Sequence, residues 1–255
     1  MIRTALRIDD IGASTKLYEV YSKRLFGNFL YLKYLKSFRA WGPYREMSVE
    51  EWEEVFEILE QFNAKLTVGV TAGWIERDGN LTPFPEKFSE EAQILKDGLN
   101  EGLLEIANHG LTHCVVGKHL PRLFSSNRQY HREFWESLPR KIHFDHLKQS
   151  QRILQDYFKT KITTLIPPGN VFSEDTVDAA SKFGINRINY RKMENSSLNE
   201  NLIIIDGETT YKKSISLKSV IRFHDREIII EGVDWLKRKL ESIPPDTKFV
   251  FVKNL

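Results

Sequence analysis

The chain lacks the features that mark disulfide-rich, membrane-spanning and strongly charged proteins. It contains one cysteine, Cys114, which excludes an internal disulfide bond. No apolar run is long enough to cross a bilayer, so no transmembrane segment is predicted. The chain has 37 lysines and arginines and 35 acidic residues, and a net charge of +2 produces no strong electrostatic field over the whole molecule. Neither a nucleic-acid partner nor a membrane-surface partner is therefore expected.

Size and composition set the outer limits. The 255 residues are 41% hydrophobic, which is enough to form a substantial core. We expect a single catalytic domain over residues 1–255, and the composition leaves the oligomeric state open. The first ten residues carry charges where the apolar core of a signal peptide would stand. A cytoplasmic location is expected on that ground.

Apolar segments that read as strands alternate along the chain with amphipathic helices. This alternation predicts an α/β fold with a mostly parallel sheet and crossover helices. Strands are predicted at 4–8, 65–70, 103–107, 162–166, 185–190, 202–206, 219–223 and 248–252. Helices are predicted after the capping box Ser48-Val-Glu-Glu51, at 90–99, up to Phe158, from Ser173 to Phe183 and at 233–243.

Two histidines follow the third predicted strand. His109 and His113 stand four positions apart, with Gly110 between them. Imidazole is the commonest side-chain ligand for zinc and similar ions, and a helix or a tight loop could bring both rings together. Two unrelated surface histidines would give the same pattern. The motif therefore indicates a metal site only if a carboxylate joins it.

A pair of carboxylates follows the first predicted strand. Asp9-Asp10-Ile11-Gly12 would by itself indicate a turn. In α/β barrels, however, the C-terminal ends of the parallel strands carry the active site. One carboxylate could bind a metal there while its neighbour acts as a base.

Polar residues also gather at two later strand ends. Pro167-Pro168-Gly169-Asn170 predicts a rigid turn after one strand, and His224-Asp225 ends another. In a barrel these ends share one face with the aspartates and histidines. We therefore expect these groups to bind substrate or support the site.

Two segments are candidate covers for a substrate. Residues 13–46 interleave aromatic side chains with lysines and arginines, among them Lys16. They read either as a packed helix with a basic outer face or as a wall of the site. Residues 114–142 have little periodicity, as in a lid or binding loop. His143 and His146, near the start of the next helix, are interpreted as surface or packing residues.

At this point the sequence resembles the polysaccharide deacetylases (carbohydrate esterase family 4, the NodB homology domain). The resemblance spans nearly the whole chain and rests on four motifs in the family's order: Arg7-Ile8-Asp9-Asp10, His109-Gly110-Leu111-Thr112-His113, Pro167-Pro168-Gly169 and Phe223-His224-Asp225. It implies a distorted, incomplete (β/α) barrel and a metal-dependent hydrolase of N-acetyl groups on sugars. By position it also implies that Asp9 is the catalytic base, that Asp10, His109 and His113 bind the metal, and that His224 is the general acid.

The chemistry is consistent with that resemblance. Two histidines and one carboxylate leave open positions on one divalent ion, for which zinc is the expected choice. A carboxylate beside the ion can take a proton from water, a histidine can protonate the departing amine, and a backbone N–H near the proline turn can stabilise an oxyanion. The expected partner is a carbohydrate or other small molecule. A nucleotide-linked or lipid-linked sugar precursor fits a cytoplasmic enzyme.

The chain departs from the family pattern at defined positions. Leu165 stands where the family usually has the arginine that holds the catalytic aspartate, and Asp206 is the candidate for the acid of a fourth motif. Arg7 lies two residues before Asp9, so both side chains share one strand face, and Arg7 could replace the missing arginine. Arg222 is the competing candidate.

Two other functions remain open from the sequence. The same metal chemistry could hydrolyse a non-sugar amide or another C–N bond. Alternatively, the chain could be a catalytically silent relic that only binds carbohydrate. The complete set of catalytic residue types argues against the relic, and Leu165 argues for it.

Overall fold

A computed structural model describes residues 3–18, 45–118, 132–194, 197–206, 209–217 and 220–255. Its strands are β1 (Arg3–Ile11), β2 (Leu66–Val70), β3 (Gly73–Ile75), β4 (Leu81–Pro83), β5 (Leu104–Asn108), β6 (Thr164–Leu165), β7 (Arg187–Glu194), β8 (Ser197–Asp206), β9 (Thr209–Leu217), β10 (Val220–His224) and β11 (Lys248–Phe249). Its α-helices are α1 (Thr15–Tyr18), α2 (Val49–Gln61), α3 (Phe84–Lys87), α4 (Ser89–Asn100), α5 (Arg140–Phe158), α6 (Glu174–Lys182), α7 (Asp225–Glu231) and α8 (Asp234–Glu241).

One curled sheet organises the fold. Within the described residues it has nine strands in the order β10-β1-β2-β5-β6-β7-β8-β9, with β11 also paired to β1. The strands from β10 to β7 run parallel, and β7, β8 and β9 pair antiparallel. The sheet forms an open half-barrel with helices packed against it, which confirms the predicted fold class of a distorted, incomplete (β/α) barrel.

The core follows the hydrophobic pattern of the sequence. Every residue of β2 and of β5 is buried, as expected for central parallel strands. Helix α2 begins at the predicted capping box, in which Glu51 N–H donates to Ser48 Oγ and Ser48 N–H donates to the Glu51 carboxylate. The apolar face of this helix, which includes Trp52 and Leu59, packs into the core.

The structure corrects several predicted boundaries. The segment 73–85, where neither a strand nor a helix was predicted, contains the hairpin of β3 and β4. Strand β8 is longer than the predicted 202–206, and β9 was not predicted. The added parts are polar, so their hydrophobic pattern is weak, and pairing within the antiparallel arm determines their conformation. The last predicted strand ends at Phe249, and a 3₁₀ turn follows at Val252–Asn254.

The proposed covering segments are described only in part. Residues 19–44 of the segment 13–46 and residues 119–131 of the segment 114–142 lie outside the described residues. Their role as covers stays a prediction, as does the single catalytic domain over 1–255. Among the helices of the described residues, none combines the length and apolar character that a membrane crossing requires.

Candidate metal centre

The two adjacent aspartates stand on a β-bulge at the end of β1. The pairing of β1 with β2 changes register between Ile8 and Ile11, and Asp10 has a φ of 72°. Successive side chains of a regular strand project to opposite faces, whereas a bulge re-aims one of them. The bulge therefore allows Asp9 and Asp10, both buried, to present their carboxylates to one site.

The two histidines lie on the loop that follows β5. His109 comes directly after the last strand residue, and Gly110 and His113 have positive φ values of 83° and 62°. Asp10 Oδ1 lies 3.0 Å from His109 Nε2 and 3.2 Å from His113 Nε2. One ligand atom from each of these three residues lies within 4.8 Å of the other two. The bulge and the loop thus form a group that could hold a metal ion.

The hydrogen bonding of His109 fits a bound cation. Its Nδ1 lies 2.7 Å from the carbonyl oxygen of Ile166, which can only accept, so Nδ1 carries a proton. In a neutral ring, Nε2 then directs a lone pair at the Asp10 carboxylate 3.0 Å away, and a cation between the two acceptors removes the repulsion. Metal-binding histidines commonly have such a backbone partner on the other ring nitrogen.

The charge state of Asp10 also suits a ligand. Burial would raise the pKa of this carboxyl, but the adjacent rings of His109 and His113, together with His224, outweigh that effect and hold the pKa well below its ordinary value. Metal ligands must be deprotonated. Three protein ligands leave positions open on a divalent ion, as catalytic rather than structural sites require.

A buried glutamate holds the histidine loop from behind. The Glu133 carboxylate accepts hydrogen bonds from the backbone N–H groups of Leu111 at 2.7 Å, Thr112 at 3.2 Å and His113 at 2.9 Å. Glu133 Oε1 also lies 2.6 Å from Nδ1 of His146 on α5. One carboxylate therefore fixes the backbone that carries His113.

Gly110 is required by this arrangement. Its φ is positive, and a Cβ at this position would overlap the Glu133 carboxylate and press on the ring of Pro168. The interpretation of His143 and His146 as packing residues holds, and their placement on the surface is wrong, because both side chains are buried.

Asp9 is held by a fully buried arginine. Arg7 Nε lies 2.8 Å from Asp9 Oδ1 and Arg7 Nη2 lies 2.7 Å from Oδ2, a bidentate pair. The two residues are i and i+2 on β1 and share a strand face. Burial would raise the pKa of Asp9, but the charge and hydrogen bonds of Arg7, with smaller contributions from His109 and His224, together outweigh burial, so the pKa lies below its ordinary value.

Further polar groups extend this network across the sheet. Arg7 Nη1 donates to Asn189 Oδ1 on β7 and to Glu200 Oε2 on β8, the latter at 3.1 Å. Arg222 Nη1 lies 3.8 Å from Asp9 Oδ2, and its Nε lies 3.7 Å from Glu200 Oε1. Of the two arginines proposed from the sequence, Arg7 makes the hydrogen-bonded contact. Leu165 lies fully buried in an apolar cluster.

His224 stands beside Asp9 because β10 pairs with β1 in the register Asp9↔His224. His224 Nε2 lies 3.9 Å from Asp10 Oδ2, and Nδ1 lies 3.4 Å from Glu227 Oε2. Burial would lower the pKa of His224, but the hydrogen bond to Glu227 and the charges of Asp10 and Asp9 raise it above its ordinary value. The charged imidazolium is therefore favoured.

Asp225, a predicted supporting residue, belongs to a buried charged cluster next to the bulge. Its Oδ2 lies 2.5 Å from Lys16 Nζ. The same ammonium donates to the backbone carbonyl of Asp10 at 2.6 Å and lies 3.7 Å from Glu46 Oε1. Burial raises the pKa of Glu46 to about 7 despite Lys16. From the sequence, Lys16 was grouped with cations that face solvent or substrate. In the structure it is buried, and its ammonium donates a hydrogen bond to the backbone of Asp10.

The proline turn follows β6 on the same edge of the sheet. Gly169 and Asn170 have positive φ values of 63° and 59°. The side chain of Asn170 accepts a hydrogen bond from the backbone N–H of Arg191 at 2.8 Å, so this amide is directed to β7 rather than to the aspartates. Pro168 is buried next to Gly110.

The structure thus brings Asp9, Asp10, His109, His113 and His224 together, as the strand-end argument predicted. It adds acidic residues that the sequence reasoning missed: Glu133, Glu200 and Glu227. Glu227 could have been found from the sequence. It lies three residues after His224, the last residue of β10, and this spacing is that of a capping box. The side chain of Asp206 lies outside the described residues.

Comparisons with known proteins place this geometry in context. The profile of the polysaccharide deacetylase family matches residues 42–188, which include both histidines and the proline turn. No curated protein matches the chain. A pseudoenzyme of carbohydrate esterase family 4 (CE4) from Bacillus anthracis has a similar structure, with a TM-score of 0.52 and 14% identity over 100% of this chain and 64% of that one.

A mutant of that pseudoenzyme with restored enzymatic activity gives the same TM-score of 0.52 and 14% identity, over 100% of this chain and 66% of the mutant. At this identity the likeness establishes the fold alone. The chain spans slightly less than two thirds of the length of these structures.

Proposed function

The chain belongs to the polysaccharide deacetylase family, and we propose that it is a metal-dependent hydrolase that removes an N-acetyl group from an amino sugar or a sugar-containing precursor. One observation carries this proposal. The Asp10, His109 and His113 ligand atoms converge next to a carboxylate, Asp9, and an imidazole, His224, whose strands pair in register.

In this proposal Asp10, His109 and His113 hold one divalent ion, with zinc as the expected ion. Such an ion lowers the pKa of water and polarises a carbonyl group. The cluster has the donor set for zinc, two imidazoles and a carboxylate. Zinc and a cytoplasmic location stay predictions.

Asp9 is the proposed general base. Its pKa lies below the ordinary value, so the carboxylate is ionised and can accept a proton from the attacking water. Arg7 donates a hydrogen bond to each of the two oxygens and so holds the carboxylate in one orientation. The remaining lone pairs of these oxygens can face a substrate.

His224 is the proposed general acid. It stands on the strand next to Asp9, and its pKa is raised, so a proton is available for the departing amine. The Glu227 carboxylate accepts a hydrogen bond from the backbone N–H of His224 and lies 3.4 Å from Nδ1 of its ring. These contacts orient the imidazole. We propose that the backbone of the turn at Pro168–Asn170 stabilises the oxyanion.

The first experiment combines elemental analysis of the purified protein with acetate release from a panel of N-acetylated sugars. Acetate release that depends on a stoichiometric divalent ion supports the proposal. Release only from non-sugar amides would favour the broader C–N hydrolase. Sugar binding without any release would favour the silent, carbohydrate-binding relic.

A second experiment tests the role of His224, whose Nε2 lies only 3.9 Å from Asp10 Oδ2. His224→Ala should retain the metal and slow turnover by roughly two to four orders of magnitude. A variant that loses the metal would make His224 a ligand instead of an acid. Elemental analysis and kcat measured on the same preparation separate the two results.

A further inference from the structure

We propose that a basic, aromatic pocket beside the proline turn binds an anionic substituent of the substrate, so that the preferred substrate is a sugar carrying a phosphate or carboxylate group. This inference rests on the proposed function and specifies its substrate class. The pocket has a volume of about 310 Å³, enough for one sugar ring or a charged substituent.

Positive charge predominates on the pocket walls. Arg132, Arg191 and Lys192 line it, against one carboxylate, that of Glu136. Among the residues that the structure describes, neither the guanidinium of Arg132 nor that of Arg191 has a carboxylate partner. Two arginines in the lining of one pocket suit an oxyanion, because a guanidinium binds phosphate and carboxylate groups through paired N–H donors.

Aromatic side chains complete the pocket. Trp135, Phe172 and Tyr190 line it, and the Arg132 guanidinium lies 5.7 Å from the Trp135 ring centroid. Contact with an aromatic ring restricts the guanidinium and reduces the freedom that it loses on binding an anion. Aromatic faces also provide the apolar surface on which a sugar or a nucleobase stacks. A mixed wall of this kind fits an anionic conjugate better than a free inorganic ion.

The pocket adjoins the candidate catalytic groups through β7 and β8. Arg191 pairs with Glu200 across these antiparallel strands, and directly opposed residues project to the same face. Glu200 in turn accepts from Arg7, the partner of Asp9. Arg191 therefore connects the pocket with the polar network that holds Asp9.

The proline turn connects the pocket with the metal centre. Asn170 lines the pocket and is fixed by the backbone N–H of Arg191. Ile166 directly precedes this turn, and its carbonyl oxygen accepts the hydrogen bond that orients His109. Gly169 lies against the aliphatic stem of Arg132, where a Cβ would come within 3.3 Å of Arg132 Cγ. The absence of a side chain at Gly169 leaves room for this arginine beside the turn.

Binding can be measured without turnover by using sugars that lack an N-acetyl group. Calorimetric titration of the full, zinc-loaded chain should compare glucose, glucose 1-phosphate and glucuronate. We expect at least one anionic sugar to bind about tenfold or more tightly than glucose, since hydrogen bonds to charged groups contribute most. The phosphate and carboxylate arms identify which anion the pocket prefers.

Variants assign this preference to the pocket. Arg132→Gln and Arg191→Gln should each lower the affinity for the preferred anionic sugar about tenfold and leave glucose unchanged, while Arg132→Lys should retain part of the affinity. Arg238→Gln removes one exposed positive charge on α8 and serves as the matched control, with affinity unchanged. Circular dichroism confirms that each variant is folded.

The outcomes separate the two proposals. Equal affinity for neutral and anionic sugars, or unchanged anion affinity in both arginine variants, would overturn the pocket assignment. Arginine-dependent anion binding by a chain that releases no acetate would uphold the pocket and reject the deacetylase. Acetate release that is equally fast from neutral and anionic N-acetyl sugars would uphold the deacetylase and reject the pocket.

Discussion

The two sides of the candidate site are held in place by different means. The metal side depends on backbone geometry: a bulge at Asp10, left-handed conformations at Gly110 and His113, and a carboxylate that bonds the loop N–H groups. The base side depends on side-chain charge, with Asp9 fixed by a buried arginine two residues earlier on β1. We therefore expect perturbation of the first side to change metal affinity, and perturbation of the second to change turnover and its pH dependence.

The largest expected effect is the loss of a metal ligand. His109→Ala, His113→Ala and Asp10→Ala should each lose most of an ion that is bound at about one per chain in the wild type. Acetate release should fall to background with it. Elemental analysis after dialysis against a chelator and reloading with zinc measures the effect. Full affinity in His109→Ala would remove this residue from the site.

The next effect should separate chemistry from binding. Asp9→Asn removes the proposed base and leaves the three ligands unchanged, so metal content should stay at the wild-type level. Turnover should fall by about two to four orders of magnitude, the usual contribution of a general base. The two measurements belong on one preparation. Loss of the metal in Asp9→Asn would show that the two sides are not independent.

The same contrast explains how much of the site the sequence could predict. The metal side consists of short local motifs after strands. Their positions predicted that the aspartate pair and the two histidines share one face, and the family resemblance implied that Asp10, His109 and His113 are the ligands. The mostly parallel half of the sheet was predictable for the same reason, because its strands are continuous apolar runs.

The support around these residues is not local. Glu133 lies 20 residues from the His113 N–H that it binds, within a segment that has no periodicity. Glu200 lies 193 residues from Arg7, on a polar strand whose length depends on antiparallel pairing. Such contacts depend on tertiary packing and leave no motif in the sequence. Arg7 was an exception, since its spacing of two from Asp9 on one strand already predicted the contact.

A smaller effect tests the backbone support of the metal side. In Glu133→Gln an amide NH₂ group replaces one carboxylate oxygen. This group can only donate, so it cannot accept the hydrogen bonds of the loop N–H groups and would repel them. Metal affinity should fall about 10- to 100-fold, the usual cost of losing an outer partner of a ligand. Competition with a chromogenic chelator measures it. Glu90→Gln on α4, an exposed glutamate outside the site, is the matched control. An unchanged affinity in Glu133→Gln would mean that the loop holds its shape without this carboxylate.

The smallest effect concerns the pH profile on the base side. Arg7 holds the pKa of Asp9 below its ordinary value, and activity requires the ionised carboxylate. The acidic limb of kcat/KM therefore lies low in the wild type, and removal of the cation should raise the pKa and move this limb to higher pH. Arg7→Met should show this shift with unchanged metal content. It also breaks a fully buried ion pair, which typically costs about 3–5 kcal/mol of stability, so Arg7→Lys is the milder companion variant.

Arg222 provides the internal comparison for this last prediction. Its guanidinium lies 3.8 Å from Asp9, beyond hydrogen-bond distance, and is partly exposed to solvent. Solvent screening weakens such a charge, so Arg222→Met should move the acidic limb less than Arg7→Met does. A larger shift in Arg222→Met, with an unmoved limb in Arg7→Met, would transfer the positioning role to Arg222. In that case the hydrogen bonds between Arg7 and Asp9 would support the fold of β1 rather than the ionisation of the base.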